Sequence, residues 1–342
     1  MQLHLNSYGI YLHVKDQMFE IKVPAQDGRA EIKKQVAAKK IRSLWLSPHT
    51  AVSAAAVALA LKHNIDMVFL EHNGRPLGRV WHSKLGSTPR IRKCQLEASL
   101  DARGADFIKK WLCIKTDNQM NFVRSMGRHR KVLRPYLEET AGKIADLTAK
   151  IDTLPARNIN EIAEQLRGLE GTAGRLYFGA LARVIPEQYA FRGRSFRPTV
   201  DAFNAFLNYA YGVLYSHTER ALILAGLDPY VGFLHRDDYN HRSMVYDFIE
   251  PFRIYADVPI FRLFTAKKVR QDHYECFENS VGLTKEGKVL CVEALNRHLE
   301  DEKMRYRGRN RTRADIMQAE AYDTAGTLIG REKAIEPNTE II

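Results

Sequence analysis

The strongest constraint on the fold is a change of hydrophobic pattern near residue 86. Before that point, the stretches QLHLN, IYLHV and MFEIKV alternate polar and apolar residues, which is typical of half-buried β-strands. IRSLWLS adds another strand, and IDMVFLEHNGRPLGRVW predicts two strands around an Asn73–Gly74 turn. One alanine-rich helix, opening at Thr50 and ending at Asn64, lies among them. Residues 1–86 therefore predict a small β-rich domain, with small sheets and one helix.

Helical patterns dominate the chain after a linker formed by residues 86–89, GSTP. We expect a helix with a break near Gly104, another that continues to Pro155, a long one that stops at Gly226, and a last one beginning near residue 313. Strand patterns nearly vanish in this part. The sequence therefore predicts an α+β protein whose larger domain, residues 87–342, is all-α.

The charge balance indicates a polyanionic partner. Lys and Arg number 52 and Asp and Glu number 40 in the 342 residues, so the formal net charge is +12. Nucleic acid is the simplest such partner, because contacts to phosphates release counterions. A basic enzyme with no nucleic-acid partner is the alternative interpretation.

The cysteines and the N-terminus indicate a cytoplasmic protein. The four cysteines form no CxxC pair and are too few for a disulfide framework, which fits a reducing compartment. The first residues lack the basic head and apolar run of a signal peptide. No stretch approaches the roughly 18 apolar residues that a membrane span needs.

The segment 226–253, GLDPYVGFLHRDDYNHRSMVYDFIEPFR, concentrates acids, a histidine and arginines in an apolar framework. Asp247 and Glu250 are three residues apart, so on a helix they share a face. Buried carboxylates need a partner or a cation. Pairing with Arg242 or Arg253 is the alternative to a metal. His235, which ends an apolar run, is either a ligand or a satisfied core residue.

Glu170 lies beside an apolar helical stripe in LRGLEGTAGRLYF and is flanked by Gly171 and Gly174. Glycines inside a helix cost about 1 kcal/mol each relative to alanine, so they indicate close packing or ligand access. A surface glutamate is the alternative. Together with His235 and a second carboxylate, Glu170 makes a plausible site for one divalent cation, Mg²⁺ or Mn²⁺.

Several basic clusters are candidates for DNA contact. Each contains closely spaced cations that need either solvent or an anion, and such contacts position a nucleic-acid backbone without reading its sequence. The sequence predicts strong salt dependence of binding. The clusters contribute Arg192, Arg194 and Arg197, then Lys267 and Lys268, and then Arg305, Arg307, Arg309 and Arg311 in RYRGRNRTR, whose alternation suits an extended loop.

Four successive motifs resemble those of the CRISPR-associated integrase family Cas1. They are LEGTAGRLYF, RGRSFRPTVDAFNAFLNYAYGVLYS, AGLDPYVGFLH and SMVYDFIEPFR, and LTKEGKVLCVEALNRHLE resembles a later helix of the same family. The strand-rich beginning, with FLEHNGRPLGRV, also resembles the N-terminal domain of the family. The resemblance covers nearly the whole chain.

The resemblance implies a homodimer that associates with a Cas2 dimer and inserts protospacer DNA into the repeat and leader region of a CRISPR array. The implied catalytic set is Glu170, His235 and Glu250 as metal ligands, supported by Asp247, with Glu250 standing where some members have aspartate. The implied reaction is attack of a 3′-hydroxyl on a phosphodiester, aided by the metal. Because His235 must be unprotonated to bind metal, activity is expected to fall as the pH drops through its titration.

Two other functions fit the residues. The first is a non-catalytic basic DNA-binding scaffold whose acids only pair with arginines. The second is a metal hydrolase for a small phosphorylated substrate, although several basic clusters exceed what a small ligand needs.

Overall fold

The computed structural model describes residues 2–25, 30–72, 76–80, 88–155, 158–235 and 241–331. The chain divides into two compact units, Met1–Gly86 and Ser87–Ile342. The junction between the units and the predicted Asn73–Gly74 turn lie outside the described residues.

The described residues of the first unit form two four-stranded sheets and one α-helix. One sheet has the order β1-β5-β7-β8, in which β1, β5 and β7 run parallel, and the other has the order β4-β3-β2-β6. The strands are β1 Gln2–Leu5, β2 Tyr11–Lys15, β3 Met18–Val23, β4 Ile32–Ala37, β5 Ser43–Leu46, β6 Ala51–Val52, β7 Asp66–Leu70 and β8 Pro76–Val80. Leu12, Phe19 and Leu44, each fully buried, lie in the shared apolar core of these strands.

The helix of the first unit, α1, spans Ala54–Lys62 and begins later than predicted. Its N-cap is Ser53, whose side chain accepts a hydrogen bond from the backbone N–H of Ala56. Thr50 instead donates its hydroxyl proton to the carbonyl of Leu5, and the two residues after it pair with β2 as β6. The residues that the local pattern assigned to the first helical turn therefore form a strand that pairs with β2.

The second unit is mainly helical. Its helices are α2 Thr88–Ala98, α3 Ala102–Gly127, α4 Arg134–Asp152, α5 Ala163–Val184, α6 Ala202–Ala225, α7 Ser243–Phe248, α8 Ile254–Thr265, α9 Lys285–Asn296 and α10 Arg313–Leu328. Two short hairpins join them, formed by β9 Tyr274–Phe277 with β10 Ser280–Leu283 and by β11 Lys303–Tyr306 with β12 Arg309–Thr312. The predicted α+β class is confirmed, and the hairpins are an addition that the sequence pattern did not indicate.

Helix α6 is the buried centre of this unit. Asp201 caps its N-terminus by accepting from the backbone N–H of Asn204, and Gly226, with φ +82°, ends it as predicted. Phe203 and Phe206 are fully buried and pack edge-on against Phe264 of α8. This aromatic contact fixes α8, and therefore the segment just before it, against the centre of the unit.

The break near Gly104 lies between α2 and α3, at residues 99–101. A side chain at Gly104 would place its first carbon 2.5 Å from the carbonyl oxygen of Ala98. Glycine therefore permits the close approach of the end of α2 to the start of α3. Among the described residues, no helix combines the length and the apolar character that crossing a bilayer requires.

Candidate active site

Three helical segments bring two carboxylates onto one ammonium group. Nζ of Lys115 on α3 lies 2.5 Å from Oε1 of Glu170 on α5 and 2.5 Å from Oε2 of Glu250, which opens the 3₁₀ turn Glu250–Phe252. Lys115 and Glu250 are buried. The two carboxylates therefore converge, since each touches the same nitrogen.

Glu250 is also held by the guanidinium of Arg253. Nε of Arg253 donates to both carboxylate oxygens, at 2.8 and 2.9 Å, and the guanidinium lies over the rings of Tyr211 and Tyr215. Of the two arginines that could pair with Glu250, Arg253 therefore does so. Arg242 contacts Glu219 instead, at 3.0 Å.

Charges in this cluster shift one another's proton affinities. Burial alone raises the pKa of a carboxyl group, but Arg253 and Lys115 outweigh it and lower the pKa of Glu250 to about 2. Burial likewise opposes the charge of Lys115, but Glu250 and Glu170 raise its pKa above the usual value. Glu250 and Lys115 are therefore both charged at neutral pH.

His235 is oriented by Asp247. Nδ1 of His235 lies 2.5 Å from Oδ1 of Asp247, whose other oxygen accepts the backbone N–H groups of Phe233 and Leu234. The His235 side chain is 39% exposed, so it is not a core residue. With Nδ1–H donated to Asp247, Nε2 is left as the acceptor that can bind a ligand.

The environment of His235 links it to the two glutamates. Burial lowers its pKa, but the hydrogen bond and charge of Asp247, and the charges of Glu250 and Glu170, raise the pKa above the usual value. The histidine therefore lies in the field of the Lys115 cluster, although the described residues contain no ready-made group of three acidic, histidine or cysteine side chains around one metal position.

The predicted sharing of one helical face by Asp247 and Glu250 needs correction. Helix α7 ends at Phe248, and the chain passes into a 3₁₀ turn that includes Pro251. A proline in this position cannot continue the α-helical hydrogen bonds. As a result, Asp247 supports His235 and the loop before it, while Glu250 faces Lys115.

A cavity of about 540 Å³ opens beside the cluster. Lys115, Glu170 and Arg253 line it, together with a glutamine and a set of glycines, arginines and aromatic residues. These are Gln119, Gly171, Gly174, Arg175, Phe178, Gly179, Arg192, Gly193, Arg194 and Tyr211.

The glycines of α5 leave this cavity open. A side-chain carbon added at Gly171 or Gly174 meets no atom within 4 Å. Close packing therefore does not require glycine at these two positions. The sequence left close packing and ligand access as explanations of the glycines, and access to the cavity is the one that remains.

The basic residues predicted to contact DNA have different surroundings. Arg192 lines the cavity and its side chain is 80% exposed. Arg194 also lines it, but its guanidinium donates to the side-chain carbonyls of Asn204 and Asn208. Arg194 therefore braces the segment onto α6, and Arg192 is the more available cation.

The remaining predicted cations of this region lie outside the cavity wall. Arg197 is exposed, with its guanidinium over the ring of Phe196. Lys267 and Lys268 are exposed at the end of α8. The hydroxyl of Tyr189 donates to the carbonyl of the next residue, Val269, at 2.9 Å, which joins this segment to the one that precedes Arg192.

The first four arginines of RYRGRNRTR lie on the β11–β12 hairpin, which agrees with the predicted extended backbone, and the fifth, Arg313, begins α10. Arg305 and Arg309 are exposed, and Arg311 lies over the ring of Tyr306. Arg307 donates to Asp323 and to Glu320 of α10. Arg307 is therefore a structural cation, and the hairpin presents Arg305 and Arg309 to solvent.

Sequence reasoning missed Lys115 and Gln119 as site residues. Lys115 and Gln119 lie on the buried face of α3, between the core residues Leu112 and Phe122. A lysine at an apolar position of a helical pattern was the available signal, because such a lysine needs an acidic partner.

The donor set fits a divalent cation. Glu170 and Glu250 supply carboxylate oxygens that already face one positive charge, and Nε2 of His235 supplies a nitrogen whose ring is fixed from behind by Asp247. A metal ion that takes the place of the ammonium of Lys115 would satisfy both carboxylates with a higher charge.

The chain matches one protein family over most of its length. The family model described as CRISPR associated protein Cas1 matches residues 3–297. The CRISPR-associated endonuclease Cas1 1 of Archaeoglobus fulgidus is 32% identical over 344 residues, which are 97% of this chain and 98% of that protein. Such an endonuclease family implies a divalent metal requirement.

Two solved structures share the fold. A casposase bound to its integration product has a TM-score of 0.81 and 22% identity, covering 99% of this chain and 94% of that one. A chain of a Cas6-RT-Cas1–Cas2 complex has a TM-score of 0.71 and 21% identity, covering 96% of this chain and 35% of that one. The family model and the Archaeoglobus relative together show that the chain belongs to the Cas1 family of CRISPR-associated proteins.

Proposed function

We propose that the chain is a metal-dependent DNA endonuclease and integrase of CRISPR adaptation. It inserts protospacer DNA into the CRISPR array by attack of a 3′-hydroxyl on a phosphodiester. The observation that carries this proposal is the convergence of Glu170 and Glu250 on one cationic nitrogen beside an open cavity lined by arginines. The endonuclease name of the Archaeoglobus relative and the integration product held by the casposase support the reaction class.

One divalent ion, Mg²⁺ or Mn²⁺, would be held by Glu170, Glu250 and Nε2 of His235. When bound, the ion lowers the pKa of the attacking hydroxyl and offsets charge on the phosphorus oxygens. Asp247 keeps the His235 ring in one orientation and tautomer. Arg253 holds the Glu250 carboxylate in place through two hydrogen bonds.

The cavity wall supplies the remaining electrostatic help. Arg175 and Arg192 present guanidinium groups to the space beside Glu170, where a phosphodiester carries its charge. The open glycine positions Gly171 and Gly174 leave room for a strand to approach the carboxylates. The same cations bind backbone rather than bases, which suits a reaction on many different protospacers.

The partners follow from the same comparisons. We assign protospacer duplex and the CRISPR repeat and leader as DNA partners, and a Cas2 dimer as protein partner, as in the Cas1–Cas2 neighbour. Residues 1–86 are assigned to homodimer formation and residues 87–342 to metal and DNA binding. The cysteines of the described chain are free, in keeping with the cytoplasmic location expected from the sequence.

An integration assay tests this function. Purified protein is mixed with its Cas2 partner, a short duplex with free 3′ ends, a supercoiled target with a leader and repeat, and Mg²⁺ or Mn²⁺. Glu170→Gln is expected to abolish joining while DNA affinity stays within about twofold, since the change keeps shape but removes a metal ligand. Glu164→Gln, an exposed position on the same helix, is the matched control and keeps full activity.

The alternative of a non-catalytic DNA-binding scaffold has one observation in its favour, the pairing of Glu250 with Arg253 and Lys115. The same assay separates the two functions. A scaffold binds DNA and tolerates Glu170→Gln in every readout, and joining that persists in this variant at the wild-type rate would exclude the proposed site.

A further inference from the structure

A second cavity, of about 500 Å³, lies against the C-terminal half of α3, the start of α8 and the start of α10. We call it the α3–α8 pocket and define it by Arg124, Arg128, Tyr255, Arg262 and Arg313. None of these residues lines the cavity beside Glu170. Helix α3 therefore borders two cavities, with Lys115 and Gln119 at the first and its last turns at the second.

The α3–α8 pocket is strongly basic. Four guanidinium groups line it, and its described lining contains no acidic side chain. Among the described residues, two of the four arginines have a carboxylate within 4 Å, since Glu138 is 3.7 Å from Arg124 and Glu302 is 3.3 Å from Arg313. Four positive charges against two negative ones leave a surplus that an anion would balance.

The hydroxyl of Tyr255 points to a ligand independently of the charge. Tyr255 is 1% exposed, and its hydroxyl has no hydrogen-bond partner among the described residues. A buried hydroxyl without a partner costs free energy comparable to a lost hydrogen bond. The guanidinium of Arg313 lies 5.7 Å from the centre of the Tyr255 ring, so a donor and a cation meet on the same wall.

The form of the pocket favours a polynucleotide backbone over a small anion. Arg124 lies in the last turn of α3, and Arg128 follows the helix directly with helical backbone angles. The four residues between them correspond to about 6 Å of axial rise, which is comparable to the separation of neighbouring phosphates in a strand. The aromatic side chains Phe122 and Tyr255 are buried and offer no open face on which a base could stack. Guanidinium groups pair well with phosphate oxygens.

We infer that the α3–α8 pocket is a second phosphate-binding site, which holds the backbone of the DNA away from the reacting end. The inference rests on the proposed function for the identity of the ligand as DNA. Arg128 and Arg262 supply charge, and the hydroxyl of Tyr255 donates to a phosphate oxygen. Because α3 carries both Lys115 and Arg124, about 14 Å apart along the helix axis, phosphate held here sets the position of the strand relative to the carboxylates.

The test is DNA binding as a function of salt, by fluorescence anisotropy with a labelled duplex that has 3′ overhangs. The full chain carrying Arg128→Gln and Arg262→Gln is expected to bind at least about tenfold more weakly at physiological salt. The slope of log K against log salt falls by about 2, since each lost phosphate contact removes about one unit. The matched control, Arg92→Gln with Arg103→Gln, changes the net charge equally at exposed arginines paired with acids and keeps the wild-type slope.

A single-atom change tests the pocket where the double variant folds poorly. Tyr255→Phe removes only the hydroxyl, so DNA affinity falls about three- to tenfold while the melting temperature of the free protein is unchanged or higher. Wild-type slope and affinity in both variants overturn the inference. If the wild-type protein integrates DNA and both variants bind DNA normally, the inference about the α3–α8 pocket is wrong and the proposed function stands. If the variants bind DNA more weakly but the wild-type protein never joins DNA, the proposed function is wrong and the pocket stands.

Discussion

Nδ1 of His235 lies 2.5 Å from Oδ1 of the fully buried Asp247. The carboxylate thus fixes the ring and leaves Nε2 for a ligand, as outer carboxylates do in many metal sites. Asp247→Asn is expected to weaken Mn²⁺ binding by about 10- to 100-fold and to slow joining, while DNA affinity is kept. Calorimetric titration with Mn²⁺ checks this, with Asp257→Asn, a buried aspartate that does not touch His235, as the control. Equal Mn²⁺ affinities for the two variants would contradict the role of Asp247.

Lys115 balances Glu170 and Glu250, so its removal leaves two carboxylates with Arg253 as the nearest remaining cation. Lys115→Met is expected to lower the free energy of unfolding by about 3–5 kcal/mol without divalent cations. Added Mn²⁺ recovers more stability in this variant than in the wild type, because the ion substitutes for the lost ammonium group. Urea unfolding with and without Mn²⁺ measures both effects.

Lys143 is the matched control for that experiment, because it is exposed and pairs with Glu139 one turn away. Lys143→Met is expected to leave the free energy of unfolding nearly unchanged, because exposed ion pairs contribute little, with no dependence on Mn²⁺. A Lys115→Met protein that unfolds like this control would show that the ammonium group does not hold the cluster together.

Substitutions of the two glycines on α5 are expected to affect the stability of the protein and access to the cavity differently. Gly171→Ala is expected to raise the free energy of unfolding by about 0.5–1 kcal/mol, because an added carbon meets no neighbour. Gly174→Leu fills the cavity and is expected to reduce joining at least about tenfold, a loss of transition-state stabilisation of about 1.4 kcal/mol. Gly142→Leu, on α4 and equally open, lies outside that cavity and serves as the control. Full activity in Gly174→Leu would exclude the cavity as the DNA approach.

Asp257 makes stability depend on pH. It is buried between the hydroxyls of Tyr177 and Tyr211, which donate to it at 3.0 and 2.6 Å. Burial raises its pKa to about 6, although those hydrogen bonds and nearby arginines lower it. Between these two pKa values, Asp257 therefore keeps its proton in the folded protein, whereas in the unfolded chain, where its pKa is about 3.9, it has released the proton.

The sign of the effect follows from this difference. The contribution of Asp257 to the free energy of unfolding is fully present below about pH 4 and is lost as the pH rises through about 6. The total loss is about 3 kcal/mol. Asp257→Asn is expected to remove that decrease, leaving a flatter pH profile from 4 to 7. Unfolding free energies measured across this range decide the matter, and identical slopes for the two proteins would rule out a shifted Asp257.

Two nearby arginines of the β11–β12 hairpin are expected to respond differently to substitution. Arg307→Gln is expected to lower the free energy of unfolding by about 1–3 kcal/mol, because Asp323 and Glu320 lose their partner. Arg305→Gln leaves stability unchanged and lowers the salt slope of DNA binding by about 1. Denaturation and anisotropy titrations of both variants measure this, and a reversed pattern would contradict the structural role of Arg307.

The fold was predictable where the local pattern matched the tertiary environment. The local patterns of β1, β2, β3 and β5 predicted the correct strands, and all four residues of β5 are buried. The edge strand β4, with sequence IKKQVA, has its first four residues exposed, so it carries no alternation to detect. The hairpins of the second unit are short, with four residues in each strand, and four of the eight residues in β11 and β12 are charged.

By itself, the sequence determined the single change of pattern near residue 86, the basic net charge, and the set of acids and histidine that matches the Cas1 motifs. The tertiary structure decided which of these groups touch. Spacing along the chain fixes neighbours only within one or two helical turns, so it could not place Lys115 between Glu170 and Glu250 or turn Asp247 away from them. Those contacts arise where α3, α5 and the turn at Glu250 pack together, and burial there makes each charge dependent on its partners.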